Sequence, residues 1–310
     1  MKYITNPNLS FVDNLDFYAR HIVEGYITGL HKSPFHGYSV EFSEHRIYNT
    51  GESTKHIDWK LYGKSDKLYI KKFEEETNLK CHLVIDCSSS MFYPNPDKID
   101  FDSPNKLLFS LISAASLMNL FRKQRDAFGI SFFNDNLFFH TRAKSSKSHQ
   151  HRIFIEFEKI LKNNLLVKRN LTNNIKIIHD LSERIPKRSL IIFFTDLFDV
   201  QLKVDEYMTA LNHLKFNNNE LVIFHVVNKS KEINFNFKSD NISFLDMETE
   251  KKIQVNPRLI KNDYVNQINS FISELKIRCG KNQIDFQCIN SDDNFQDVLT
   301  RYVIGRKKLI

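Results

Sequence analysis

The chain has 310 residues, 41% apolar and 26% charged, which are the values of a globular protein with a full core and exclude a disordered chain. Glycine is scarce at 8 residues and phenylalanine abundant at 27, which excludes collagen-like repeats and glycine-rich phosphate loops. The net charge is +7, but Lys and Arg are spread among Asp and Glu; the runs Lys71-Lys72, Lys251-Lys252 and Arg306-Lys307-Lys308 are short, so nucleic-acid binding is not expected.

The amino-terminal MKYITNPNLSF has no apolar core and no small-residue cleavage site, so a cytoplasmic protein is expected. Phe11, Leu15, Ala19, Ile22, Val23, Tyr26, Ile27 and Leu30 then follow helical spacing, with Asp13 or Asn14 available as a cap. Residues 36–80 read as irregular and β-rich, with short alternating runs at 38–42 and 68–73 and a turn at Asn49-Thr50-Gly51. From residue 80 onward, strands are predicted at 80–86, 127–133, 136–141, 189–195 and 220–227, and helices at 104–123, 148–163, 173–184 and 204–216. The stretch Leu107 to Phe121, interrupted by Ser110, Ser113, Ser116 and Asn119, is shorter than the roughly 20 residues of a membrane span. It predicts a buried helix, and no membrane span is expected. A last section adds short strands near 233–237, 242–246 and 251–255, a helix near 257–278, a strand at 283–289 and a closing helix near 293–305.

This alternation indicates an α/β fold: a doubly wound, mostly parallel, Rossmann-like sheet covered on both faces. The chain divides into an extension over 1–79, made of a helix and a β-rich segment, and an α/β domain over 80–310. Cys81, Cys87, Cys279 and Cys288 lack metal-site spacing and are expected to be reduced thiols.

The chemistry concentrates where the strand at 80–86 stops. Asp86, Ser88 and Ser90 form D-x-S-x-S, one carboxylate and two hydroxyls on a tight loop, an oxygen-only set suited to Mg²⁺ or Mn²⁺. Open α/β sheets bind ligands outside the carboxyl ends of their strands, which is where this loop falls. A second apolar strand ends in Thr195-Asp196, and Thr172 precedes a helix, where its hydroxyl can face the same crevice.

Asp86-x-Ser88-x-Ser90, then Thr172, then Asp196 resembles the metal-ion-dependent adhesion site of von Willebrand factor A domains. The resemblance implies that Ser88, Ser90 and Thr172 ligate the ion, that Asp86 and Asp196 act directly or through water, and that an acidic side chain of a partner completes the shell. The flanks His36-Gly37-Tyr38-Ser39-Val40-Glu41-Phe42, Glu44-x-Arg46-x-Tyr48-x-x-Gly51-Glu52, Ile57-Asp58-Trp59 and Phe73-Glu74-Glu75-Glu76, with Phe244-x-Asp246 and Leu299-x-x-Tyr302-x-x-x-Arg306, are similar to the bacterial family called domain of unknown function 58. The chain departs from that pattern at Glu52, where the family carries aspartate, and at Asn170-Leu171, where it favours glycine. The resemblance implies a partner or adaptor of a MoxR-type AAA+ ATPase; no biochemical activity follows from it, and the sequence offers no catalytic constellation.

Other readings stay open at this point. A metal-dependent hydrolase would use the same Asp86 and Asp196, although a haloacid-type phosphatase pairs two aspartates and here Ser88 takes the second place; neither a G-x-S-x-G elbow nor a P-loop occurs. In a metal-free scaffold, D-x-S-x-S would only cap the sheet edge. Arg46, Asp58 and Trp59 admit two roles: an Arg46–Asp58 ion pair with Trp59 anchoring the extension on the α/β domain, or an exposed partner-binding surface.

Overall fold

Apolar runs without polar alternation suit strands covered on both faces, and residues 80–86, 127–133, 189–195 and 220–227 are such strands. The computed structural model describes residues 11–29, 42–48, 57–65, 67–73, 79–96, 99–162, 174–197, 204–237, 239, 241–245 and 252–298. In chain order the described elements are α1 (Phe11–Gly29), β1 (Phe42–Ile47), α2 (Trp59–Ser65), β2 (Tyr69–Phe73), β3 (Lys80–Asp86), α3 (Lys106–Lys123), β4 (Ala127–Phe133), β5 (Leu137–His140), α4 (Lys147–Lys162) and α5 (Asn174–Arg184). They continue with β6 (Ser189–Thr195), α6 (Val204–Lys215), β7 (Glu220–Val227), β8 (Ile242–Leu245), β9 (Lys252–Val255), α7 (Pro257–Lys281) and β10 (Asp285–Asn290).

The central sheet has the order β10-β7-β6-β3-β4-β5. The first five of these strands run parallel, and only β5, hairpinned onto β4, is antiparallel. Alternation along each strand sorts the core into two layers. Cys81, Leu83 and Ile85 of β3 pack with α1, α3 and α4, whereas Val84 packs with α5, α6 and α7. The chain leaves β3 through α3 toward β4 on one side, and leaves β6 through α6 toward β7 on the other. The carboxyl ends of β3 and β6, adjacent in the sheet, are therefore the point where the winding reverses, the place where open α/β sheets bind ligands.

α3 is buried on all sides from Lys106 to Phe121, as the apolar stretch predicted. The sheet covers one side and α1 the other, through Val12, Leu15, Ala19, Ile22 and Val23 in the same cluster. A boundary at 79/80 thus cuts through one apolar cluster, because α1 packs on the outer side of α3. Buried hydroxyls need partners, and Ser110, Ser113 and Ser116 each donate to the carbonyl four residues earlier, at 2.7–2.8 Å. Gln150 of α4 donates to Asn119 of α3 at 2.8 Å, and Asn119 donates to Asp16 of α1 at 3.3 Å, tying the three helices together.

Two expectations are corrected. Within the β-rich segment, residues 59–65 are the helix α2, capped by Asp58, whose Oδ1 accepts from the N–H groups of Lys60 and Leu61 at 3.0 and 3.1 Å. Residues 233–237 are not a strand: a π turn, Lys229–Ile233, leads into irregular chain in which Phe235 has a positive φ of 49°. The alternating phenylalanines there pack on one another and on Phe244 and Tyr264. Among the described residues no helix is long and apolar enough to cross a membrane.

Candidate functional site

β3 ends at Asp86 and the chain turns at once. The N–H of Ser88 donates to Asp86 Oδ1 at 2.9 Å, and a 3₁₀ turn, Ser89–Phe92, follows and buries Met91 and Phe92. Those two apolar side chains seat the loop in the core and hold its hydroxyls at the carboxyl end of the sheet. Ser88 Oγ lies 3.1 Å from Ser90 Oγ and does not cap the turn behind it. From the neighbouring β6, Thr195 Oγ1 donates to Asp86 Oδ2 at 2.8 Å. Leu197, just past Asp196, adopts a φ of 54°, a strained value for a branched side chain, and its N–H donates to Thr195 Oγ1 at 3.2 Å.

Asp86 is 1% exposed and Asp196 4%. Burial pushes the Asp86 carboxyl up to about 7, and the neighbouring charge of Asp196 adds to the rise against the hydrogen bonds from Ser88 and Thr195. The structure thus brings together Asp86, Ser88, Ser90 and Asp196. Thr172 lies outside the described residues.

Sequence reading missed the cation of this site. Lys106, the first residue of α3, is 0% exposed. Its Nζ donates to Asp196 Oδ2 at 2.8 Å and to Glu232 Oε1 at 2.6 Å. Burial by itself lowers the proton affinity of this ammonium, but Asp196 and Glu232 more than reverse it and the net shift is upward. Glu232 comes from the π turn, and its second oxygen accepts from the N–H of Asn228 at 2.6 Å. Burial raises the Glu232 carboxyl even with Lys106 beside it. On the far side, His225 Nε2 donates to the Asp196 carbonyl at 2.9 Å, and burial lowers the ring to about 4, so it is neutral near pH 7. The one signal in the sequence was a lysine opening a helix otherwise apolar enough to be buried.

Asp196 and Glu232 meet one ammonium, Lys106, and Asp86 lies beside Asp196, so the four groups carry two excess negative charges if all are ionised. Such an excess in a water-poor crevice favours a cation, and the donors at hand are carboxylate and hydroxyl oxygens, which fit Mg²⁺ or Mn²⁺. Among the described residues no three His, Cys, Asp or Glu side chains group to hold a metal ion. A cation here would therefore draw on Ser88, Ser90 and water.

The second group singled out in the sequence behaves differently. Trp59 is 63% exposed and meets Tyr62 edge-on at 6.2 Å, so it does not anchor the extension on the sheet. The side chain of Arg46 is outside the described residues, and with it the expected Arg46–Asp58 pair; Asp58 serves as the cap of α2.

The family model described as "Protein of unknown function DUF58" matches residues 44–270. The chain belongs to the DUF58 family. In this DUF58 chain the matched span takes in Asp86, Ser88, Ser90, Thr172 and Asp196, and also Lys106 and Glu232, and it ends inside α7. No curated protein matches the chain. Two solved structures overlay in part. One is a conserved hypothetical protein BatB from Bacteroides thetaiotaomicron, 13% identical, with a TM-score of 0.42, covering 74% of this chain and 99% of that one. The other is an uncharacterised membrane spanning protein from Vibrio fischeri, 13% identical, with a TM-score of 0.18, covering 73% of this chain and 97% of that one.

Proposed function

We propose that this DUF58 protein is a von Willebrand factor A-like recognition module. It holds Mg²⁺ or Mn²⁺ at Asp86, Ser88 and Ser90, with Thr172 and Asp196 completing the set, and grips a protein partner, a MoxR-type AAA+ ATPase. The observation that carries this reading is the burial of Asp86 and Asp196 side by side at the ends of neighbouring parallel strands, against the Ser88–Ser90 hydroxyl pair. A bound ion supplies a Lewis-acidic position for a carboxylate oxygen of the partner. The chain's own residues prepare that position: the Ser88 N–H and the Thr195 hydroxyl fix the Asp86 carboxylate, and Met91 and Phe92 lock the loop.

Calorimetry tests the reading. Mg²⁺ or Mn²⁺ should give binding heat that Asp86→Ala abolishes, and a pull-down from native lysate should recover an AAA+ ATPase only without chelator. Unchanged heat in the variant sinks the metal site. One observation favours the metal-free scaffold instead: Lys106 already supplies a cation to Asp196. Chelator-insensitive recovery of the ATPase decides for that alternative.

A further inference from the structure

We infer that Lys106 competes with the metal for the Asp196 carboxylate, and that this competition makes the site depend on an anionic partner. The inference rests on the cation-binding reading above and names the residue that governs it. A lysine in the first turn of a helix ordinarily snorkels its ammonium to water. Here the side chain is fully buried and its ammonium is clamped between carboxylates from two separate elements, the loop after β6 and the π turn after β7. The clamp is itself braced. Glu232 accepts from the Asn228 N–H at 2.6 Å, and the Asn228 side chain accepts from the Lys231 N–H at 3.1 Å, which fixes the turn that carries Glu232.

Asp86 stands apart from this clamp, since its donors are the neutral Ser88 N–H and Thr195 hydroxyl. With Asp196 engaged by Lys106, a divalent cation entering the loop meets one uncommitted carboxylate rather than two. One carboxylate leaves coordination positions on a dication without an anionic ligand, and a carboxylate from outside is the ligand that fills one. Freeing Asp196 from Lys106 would make the metal hold without that outside ligand. Lys106 is therefore a positioning residue that couples metal affinity to partner binding.

The test is a Mn²⁺ titration of the full chain, followed by electron paramagnetic resonance, with and without acetate as the carboxylate probe. The variants are Lys106→Gln and the double variant Lys106→Gln/Glu232→Gln, with melting curves to verify folding. The double variant removes one positive and one negative charge together, so it leaves the net charge unchanged and avoids an orphaned Glu232. Both variants should bind Mn²⁺ at least about tenfold tighter than the parent without acetate, as expected for removing a cation from hydrogen-bond distance of a ligand. The acetate-dependent gain in affinity should also shrink in both. Unchanged or weaker Mn²⁺ affinity in the double variant overturns the inference. If the parent still binds Mn²⁺ through Asp86 in that case, the cation reading survives. Absence of Mn²⁺ binding in parent and variants alike overturns both.

Discussion

A carboxylate withdrawn from water and set beside another carboxylate takes up a proton more readily, and Asp86 is held in that position. Its folded-state value of about 7 lies above the ordinary 3.8, so between these two values the folded chain binds the extra proton. Stability from this group is complete below about pH 4 and is lost as pH rises toward 7. In chelator, Asp86→Asn should remove that loss, making the variant more stable than the parent at pH 8 by on the order of 4 kcal/mol. Urea unfolding at pH 4.5 and pH 8 measures it, and an identical pH response in both proteins counts against the buried charge. Trp59 poses the opposite case, a large aromatic left in solvent. Trp59→Ala should change stability by less than about 0.5 kcal/mol while reducing recovery of the partner in a pull-down. A loss of stability of several kcal/mol would instead restore Trp59 as an anchor. Asp86, Ser88 and Ser90 were legible because they are neighbours in the chain. Lys106 was not, because its partners lie 90 and 126 residues away.

Among the elements, α3 was readable from its composition alone, since a helix apolar on every side must be covered on every side. Its cover was not readable. The periodicity of α1 marks one apolar face, but nothing in the spacing says that the face meets α3 rather than the β-rich segment. Leu15→Ala should therefore cost about 2–5 kcal/mol, as in any well-packed core, and thermal melting with the α/β domain as reporter would detect it. A negligible shift would mean that α1 is dispensable to the core. The two misread segments fail for physical reasons. α2 is a short helix with none of its residues buried, so it carries no apolar period, and the cap from Asp58 was its only signal. The alternation at 233–237 mimics a strand, but the π turn that brings Glu232 to Lys106 sends the chain into a left-handed residue at Phe235.

At the scale of the molecule, the sheet carries two buried histidines whose neutrality folding requires. His82 Nε2 and Ser131 Oγ are 2.8 Å apart, and Gly129 is needed beside them because a Cβ there would sit 2.8 Å from His82 Nδ1 and 2.6 Å from the Thr141 carbonyl. Burial lowers His82 to about 3, with His140 contributing, and lowers His225 to about 4, each from 6.5. Between these values the unfolded chain binds the protons, so both groups remove stability as pH falls below about 6.5. Each contributes a slope of about 1.4 kcal/mol per pH unit in that window. Asp86 acts in the opposite direction there, so the informative quantity is a difference. His82→Asn should flatten the fall in stability from pH 6.5 to 5 by one proton relative to the parent, measured by urea midpoints. Equal slopes would mean that His82 is charged in the fold.

The sequence by itself determined the alternation of strands and helices, the four inner strands β3, β4, β6 and β7, and the oxygen-rich loop at Asp86. Each of these follows from local patterns, because a strand buried on both faces must be apolar throughout and a tight loop groups adjacent residues. The strand order and the layer to which each helix belongs needed the tertiary structure. So did the buried Lys106, since the burial of a charge depends on which distant carboxylates the fold brings to it.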